Sequence, residues 1–266
     1  MNSALVLILA SVSASLVGCA AETEDNALSI STQQDAVQGG TVDRSDPAVG
    51  LLAIGDTSGN YQGFCTGTLI ARNVVLTAAH CVVDGPILGF YTGVGKVVDS
   101  SNQLALLNDP AHLVFHAVAA QAAHPSYVAG SCPNITSDVG VVKLSAPIAG
   151  VTPLAFAPSS GAPHASDTCS AVGFGLHNTA SASTVGQKRT GTQIVDKLTA
   201  QSIQVHRKSA IADSGDSGGP LLCGGVVAGV TSCHTDGQAP MHSVEFYQRI
   251  DAVSAWVAQR VAAFAH

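Results

Sequence analysis

The sequence has little charge and few aromatic rings. Only 11% of its 266 residues are charged and 5% are aromatic, and no Lys/Arg cluster relieves a formal net charge of −7. The missing basic patch argues against nucleic acid as a partner. Long hydrophobic runs are lacking too, apart from the brief Leu5-Val6-Leu7-Ile8-Leu9-Ala10, which argues against a membrane bundle. What is plentiful is apolar and small: 46% of residues are hydrophobic, and 27 glycines are spread along the chain. That composition is too apolar for disorder and suits an all-β protein of short strands and tight turns, with length for one large or two small domains.

The run at 5–10 passes into small residues up to Cys19 and is too short and serine-rich to span a bilayer, so it reads as an export signal. It departs from the usual pattern in having no basic residue before it, Arg44 being the first. Leu16-Val17-Gly18-Cys19 resembles a bacterial lipobox, in which the cysteine is lipidated and becomes the new N-terminus. A lone cysteine there is otherwise hard to explain, although ordinary cleavage before Ala21, with Gly18 and Ala20 at the sites read by the peptidase, is the alternative. Nothing at Ala20 looks like an inner-membrane retention signal. The stretch 22–36 is polar and aperiodic, with Glu22, Glu24, Asp25 and Asp35, and reads as a tether or pro-segment. The expected organisation is a signal at 1–20, a tether at 21–36 and a folded domain at 37–266.

From Val37-Gln38-Gly39-Gly40 onward the pattern changes. β-like runs at 49–54, 64–71, 74–77, 97–98 and 139–144 alternate with turn clusters, and the style recurs at 170–174, 193–195, 226–232 and 246–250. The tail changes period: Val253, Trp256, Val257, Val261 and Phe264 fall on one face of a helix predicted over 251–264 and capped near Asp251.

Three places carry chemistry. In Ala212-Asp213-Ser214-Gly215-Asp216-Ser217-Gly218-Gly219-Pro220 the glycines allow tight backbone turns beside a serine, so the Gly215 and Ser217 amides can converge on one oxygen. Alone, such a cluster is an ordinary turn. A serine nucleophile also needs a base. Among ten histidines, His80 stands out at the end of Val74-Val75-Leu76-Thr77-Ala78-Ala79-His80-Cys81, where a cysteine can pin the loop. Asp138 opens the apolar strand Val139-Gly140-Val141-Val142-Lys143-Leu144, where an acid can be shielded from water and turned toward an imidazole.

Thr77-Ala78-Ala79-His80-Cys81, Ser137-Asp138-Val139-Gly140-Val141-Val142-Lys143-Leu144 and Gly215-Asp216-Ser217-Gly218-Gly219-Pro220 resemble, in order and spacing, the three signature motifs of trypsin/chymotrypsin-family serine proteases. The resemblance covers roughly residues 37–264. It implies two packed six-stranded antiparallel β-barrels, at about 37–150 and 151–266, with a C-terminal helix and a site in the cleft between them. It also implies a serine endopeptidase that needs no cofactor and acts on polypeptides, with Ser217 as nucleophile, His80 as base, Asp138 orienting the imidazole, and the Gly215 and Ser217 amides as oxyanion hole. Gly215-x-Ser217-x-Gly219 also fits an α/β-hydrolase nucleophile elbow, but too little chain follows Ser217 to supply that fold's acid and histidine.

Setting Cys19 aside leaves six of the seven cysteines, an even set that suits an oxidising compartment. By the resemblance Cys65 pairs with Cys81 and Cys169 with Cys223. The remaining Cys132 and Cys233 stand at places that face each other across the family's cleft, where a bridge would narrow the non-primed subsites.

Val37 resembles the family's mature N-terminus, whose freed amine pairs with the acid before the nucleophile, here Asp216. Ala36 precedes that bond, so an activating protease without tryptic specificity is expected. Cleavage there would release the domain from any lipid on Cys19, which makes the chain an outer-membrane lipoprotein before processing and a periplasmic or secreted protein after it.

Specificity is less plain. Ile211 stands where trypsin-like members carry a pocket-floor aspartate. Ser232, Cys233 and His234 occupy the family's substrate-binding edge, and Glu245 falls where a glycine usually lines the pocket. Glu245 can attract a basic P1 residue, pair with His234 or His242, or point to solvent. His112 and His116 at i, i+4 lack further ligands for a metal site, and Asn134-Ile135-Thr136 is a glycosylation sequon by pattern only. The rival to an active endopeptidase is a catalytically silent relative that acts as a binding protein.

Overall fold

A computed structural model of the chain describes residues 37–93, 113–176, 185–235 and 244–264. The expected signal and tether, the 97–98 run, His112 and His242 lie outside these residues. In chain order the elements are β1 (Thr41–Val42), β2 (Val49–Gly55), β3 (Tyr61–Ala71), β4 (Val74–Thr77), the short helix α1 (Ala79–Val83), β5 (Ile87–Gly93), β6 (Leu113–His116), β7 (Val118–Ala123) and β8 (Gly140–Leu144). There follow β9 (Thr168–Gly173), β10 (Arg189–Leu198), β11 (Ser202–Arg207), β12 (Pro220–Cys223), β13 (Val226–Thr235), β14 (Val244–Arg249) and helix α2 (Ser254–Phe264).

The architecture is all-β. One antiparallel sheet runs β6-β5-β2-β3-β4-β8-β7 and the other β1-β10-β11-β14-β13-β12-β9. In the second, β9 also pairs with β10 from Arg189↔Gly173 to Ile194↔Thr168, which closes a six-stranded barrel with β1 riding on its outside. The first is a half-barrel in which a side chain of the end strand β7 ties down α1, the start of β5 and the turn between them. Gln121 of β7 accepts from the Ile87 amide at 2.7 Å and donates to the carbonyls of Val82 at 2.7 Å and Gly85 at 2.9 Å.

The strands form where the sequence can bury one or both faces. Every residue of β4 is buried, and β8 exposes little beyond Lys143, so β-branched side chains fill these central positions. Along β10 the buried residues Arg189, Gly191, Gln193 and Val195 alternate with less buried ones, the period-2 signature of a strand with one face inward. Two of those inward residues are polar, and Gln193 later enters the site. The main core joins Leu52, Leu69, Val75, Leu76, Phe90 and Val142.

Helix α2 begins at Ser254 rather than Asp251. The Asp251 carboxylate is taken by the Arg249 guanidinium at 3.1 and 2.5 Å instead of capping the helix, and the chain turns through 251–253 first. Val257 is buried, and Trp256, Val261 and Phe264 pack against the same core, as the apolar periodicity predicts. None of the described helices is long and apolar enough to cross a membrane.

Because Gln121 supplies three hydrogen bonds between elements with no ladder between them, Gln121→Leu should cost about 1–3 kcal/mol. Urea unfolding of the variant beside the parent measures it.

Candidate active site

β4 ends at Thr77, whose Oγ1 donates to the Thr66 carbonyl at 2.9 Å, and Ala78 stays extended before the helical turn of α1 begins. That turn carries His80, and a disulfide from Cys81 to Cys65 ties it to β3. Cys65, His80 and Cys81 cluster closely enough to suggest a metal site. With both sulfurs in the disulfide, no thiolate is left to offer one.

Asp138 stands at the mouth of β8 with none of its surface exposed. Its Oδ1 accepts the His80 amide at 3.0 Å, and its Oδ2 accepts His80 Nδ1 at 2.9 Å and Ser232 Oγ at 2.6 Å. The Asp138 amide donates to Gln248 Oε1 at 3.0 Å. Burial alone would raise the Asp138 pKa, but the bonds and charge of His80, with Ser232, hold it below the usual carboxylate value. Burial likewise pulls His80 down, and the Asp138 bond and charge, helped by Asp84, more than offset this and raise it. With Nδ1 engaged by Asp138, Nε2 is the ring nitrogen left to act as a base. His80 and Ser217 line one cleft, although no hydrogen bond joins the Ser217 hydroxyl to the ring. Such bonds often tighten only when substrate is bound.

The loop before β12 is pinned peptide by peptide. The Ser214 carbonyl accepts the Leu176 amide at 2.9 Å, and the Asp216 carbonyl accepts the Gly219 amide at 2.8 Å. In a trans peptide the N–H points opposite to the C=O, so these two bonds fix the directions of the Gly215 and Ser217 N–H groups. Among the described residues neither of those amides has an acceptor. Gly215 has φ +99°, a conformation that favours glycine.

A residue that sequence reasoning missed holds this loop from the other sheet. Thr66 of β3 donates its amide to the Ser217 carbonyl at 2.8 Å and its Oγ1 to the Gly215 carbonyl at 2.9 Å, while Oγ1 accepts the Phe174 amide at 3.2 Å. Its place directly after Cys65 was the only available signal.

Behind the loop, Asp216 is 1% exposed. Its Oδ1 accepts the Gly175 amide at 2.7 Å and its Oδ2 the Asp213 amide at 2.9 Å. A Cβ on Gly173 would fall 2.0 Å from Oδ1, so this carboxylate fits only beside a glycine. Burial raises its pKa to about 7 against the lowering effect of its backbone donors, among them Val37. Val37 is fully buried with Ala171 and Ala210, and the next residue, Gln38, bridges to Ile211 and also bonds Asp213 through its side chain.

Two cavities flank Ser217. One, of about 690 Å³, includes Phe64, His80, Asp56 and Asp84 in its lining. The other, of about 330 Å³, is lined by residues that include Asp213, Ser232, Cys233, His234 and Glu245. The expected pocket residue Ile211 is not among them; it is buried, and its backbone bridges to Gln38. Glu245 does not point to solvent, being 1% exposed. It stands opposite His234 in the β13–β14 ladder. Cys132 is joined to Cys233, and Cys169 to Cys223. His116 lies on β6 and bonds Thr92 at 2.9 Å.

The family model for Trypsin matches residues 38–257. The chain belongs to the trypsin family of serine proteases. Chymase of Mus musculus is 28% identical over 86% of this chain and 92% of its own length, and trypsin of Saccharopolyspora erythraea is 29% identical over 68% and 70%. Among solved structures, "Structure of GrC" superposes with a TM-score of 0.67 at 22% identity, over 84% of this chain and 99% of that one. A mutant of human heparin binding protein superposes at 0.68 and 18%, over 85% and 96%. These structural likenesses show the family's fold. Trypsin-family relatives are serine proteases, and in this chain His80, bonded to the buried Asp138, and Ser217 line one cleft.

Thr66→Val would remove both Oγ1 bonds while keeping the shape, so kcat should fall roughly tenfold with KM little changed and the fold intact. Equal kcat would show that the loop holds its own geometry. His80 must be neutral to take a proton, and its raised pKa means activity is lost as pH falls through a midpoint above the ordinary imidazole value. Asp84→Asn should move that midpoint down, read from the acid limb of kcat/KM.

Proposed function

We propose that the chain is an active serine endopeptidase working through Ser217, His80 and Asp138. The observation that carries the reading is the fully buried Asp138 bonded to His80 at 2.9 Å, with the free face of that imidazole in the cleft beside Ser217. Ser217 Oγ attacks the scissile carbonyl, and its proton passes to His80 Nε2. His80 returns the proton to the leaving amine, and water then releases the acyl group by the same route. The amides of Gly215 and Ser217 receive the oxyanion. Ser232, Cys233, His234 and Glu245 hold the substrate side of the pocket.

Activation is by cleavage before Val37, carried out by a protease that accepts Ala36. An ammonium at Val37 would give the buried Asp216 carboxylate the cation that its raised pKa says it lacks while residue 37 carries an amide. A lipid on Cys19 would hold the uncleaved chain at the membrane, with the processed domain exported free of it. The three disulfides favour such an oxidising location. The complete set of three catalytic side chains argues against a silent binding protein.

Ser217→Ala should lower turnover by roughly four orders of magnitude or more without unfolding the chain, and should abolish labelling by a fluorophosphonate. Wild-type turnover in that variant would sink the assignment. An α-amine titrates at about 8 unless a partner raises it. Activity of the processed enzyme should therefore fall on the alkaline side as Val37 loses its charge, and a chain processed to leave one extra residue before Val37 should be nearly inactive at every pH.

A further inference from the structure

The loop that carries Ser217 holds an acid that the proposed chemistry leaves unused. All four polar groups of Asp213 are engaged, and three of them fold the loop on itself. Its amide donates to Asp216 Oδ2 at 2.9 Å, its carbonyl accepts the Asp216 amide at 2.9 Å, and its Oδ1 accepts the Ser214 amide at 2.6 Å. Those bonds bracket 214–216, the residues between Asp213 and the nucleophile. The fourth bond alone leaves the loop: Oδ2 accepts Gln38 Nε2, across a sequence separation of 175 residues.

Gln38 is built as an anchor. It is 9% exposed, and its carbonyl accepts the Ile211 amide at 3.0 Å. Val37 before it is fully buried. Gly39 after it has φ +90°, and a Cβ there would fall 2.2 Å from both the Ser209 carbonyl and the Arg207 guanidinium, so the segment lies hard against the chain that follows β11. A side chain rooted in backbone this closely held has few other places to go, and a donor to a carboxylate makes a stronger bond than one to a neutral acceptor.

We infer that Gln38 is a positioning residue of the proposed protease: by holding Asp213 its side chain fixes the loop that sets Ser217 and the oxyanion donors, in addition to any charge at Val37. The inference rests on the endopeptidase reading above. It differs from the pairing of an amine with Asp216 in both partners. The donor is a neutral side-chain amide, present while residue 37 still carries a peptide bond, and the acceptor is Asp213. Without Gln38 the Asp213 carboxylate is free to turn to water, and the bonds it shares with Ser214 and Asp216 loosen with it. The titratable and charged groups around the pair are Asp216 of the same loop, His234 of β13 and Glu245 of β14 in the cavity that Asp213 lines, and Arg207 against Gly39.

The test uses the full-length chain after its processing, with active sites counted by fluorophosphonate and urea unfolding recorded beside activity. kcat and KM are measured on one peptide from about pH 6 to 8.5. Gln38→Glu sets two acceptors against each other, and kcat should fall about tenfold at the alkaline end with KM little changed. Two facing carboxylates share a proton as pH falls, which restores a donor, so the ratio of variant to parent kcat should rise toward acid. Dividing by the parent removes the titration of His80. Adding Asp213→Asn to Gln38→Glu makes the amide and the carboxylate trade places, with the amide oxygen still serving Ser214. This double variant should return to within about threefold of the parent, with a flat ratio. Gln38→Met keeps the length without a charge, covers the case in which Gln38→Glu does not fold, and should lose kcat about threefold to tenfold at every pH.

A parent-like kcat in Gln38→Met, a flat ratio in folded Gln38→Glu, or a double variant that gains nothing would each overturn the proposal while leaving the protease reading intact. So would Asp213→Asn alone raising the parent by the same factor, since the gain would then owe nothing to the pairing. A parent that neither labels nor cleaves would overturn the protease reading itself, and this inference with it.

Discussion

Removing a carboxylate from water is expensive, and the region around this cleft does it three times, at Asp138, Asp216 and Glu245. What surrounds each acid decides its state. Asp138 receives three hydrogen bonds, two from His80 and one from Ser232, and is held below its ordinary pKa. Asp216 and Glu245 receive mainly backbone and amide donors without a cation, and burial takes both to about 7. The one acid with a basic side chain against it is therefore the one that stays ionised. The other two are poised to respond to a positive charge, and the negative charge of Asp216 helps to raise Glu245.

Satisfying those acids requires both sheets. Asp138 belongs to the first sheet's β8 mouth, but Ser232 of β13 and Gln248 of β14 complete its hydrogen bonding. Ser217 belongs to the second barrel, but Thr66 of β3 holds its carbonyl and that of Gly215. The Cys132–Cys233 bridge adds a covalent link across the same seam. Catalytic geometry and the packing of the two halves are thus set by the same bonds.

Much of this was legible in the sequence, and the reasons are local. The β-branched runs of β4 and β8 and the apolar stripe of α2 show their period directly, and the three motifs point to His80, Asp138 and Ser217 at once. β7 was not visible, because alanines give Val118–Ala123 little strand character and its place depends on pairing with β8. β11 and β12 are short and lie beside turns, with partners far along the chain. Thr66 and Ser232 were missed as positioning groups since their bonds span 149 and 94 residues. The bridge from Ile211 to Gln38 likewise depends on a partner far along the chain.

The hydrogen bonds that cross the seam also bear on folding. A separated first sheet would leave the Asp138 amide without Gln248 and its carboxylate without Ser232, and a separated second barrel would leave the Gly215 and Ser217 carbonyls without Thr66. Water could serve those groups only if the cleft opened, at the cost of the apolar contacts that Val227, Val230 and Ile250 make with the first sheet's core. Docking of the halves therefore gains apolar burial and polar satisfaction together. Each half alone loses part of what holds its groups: Asp138 its bond from Ser232, and the Gly215 and Ser217 carbonyls their bonds from Thr66. Assembly of the site and closure of the seam are, on these bonds, one cooperative event.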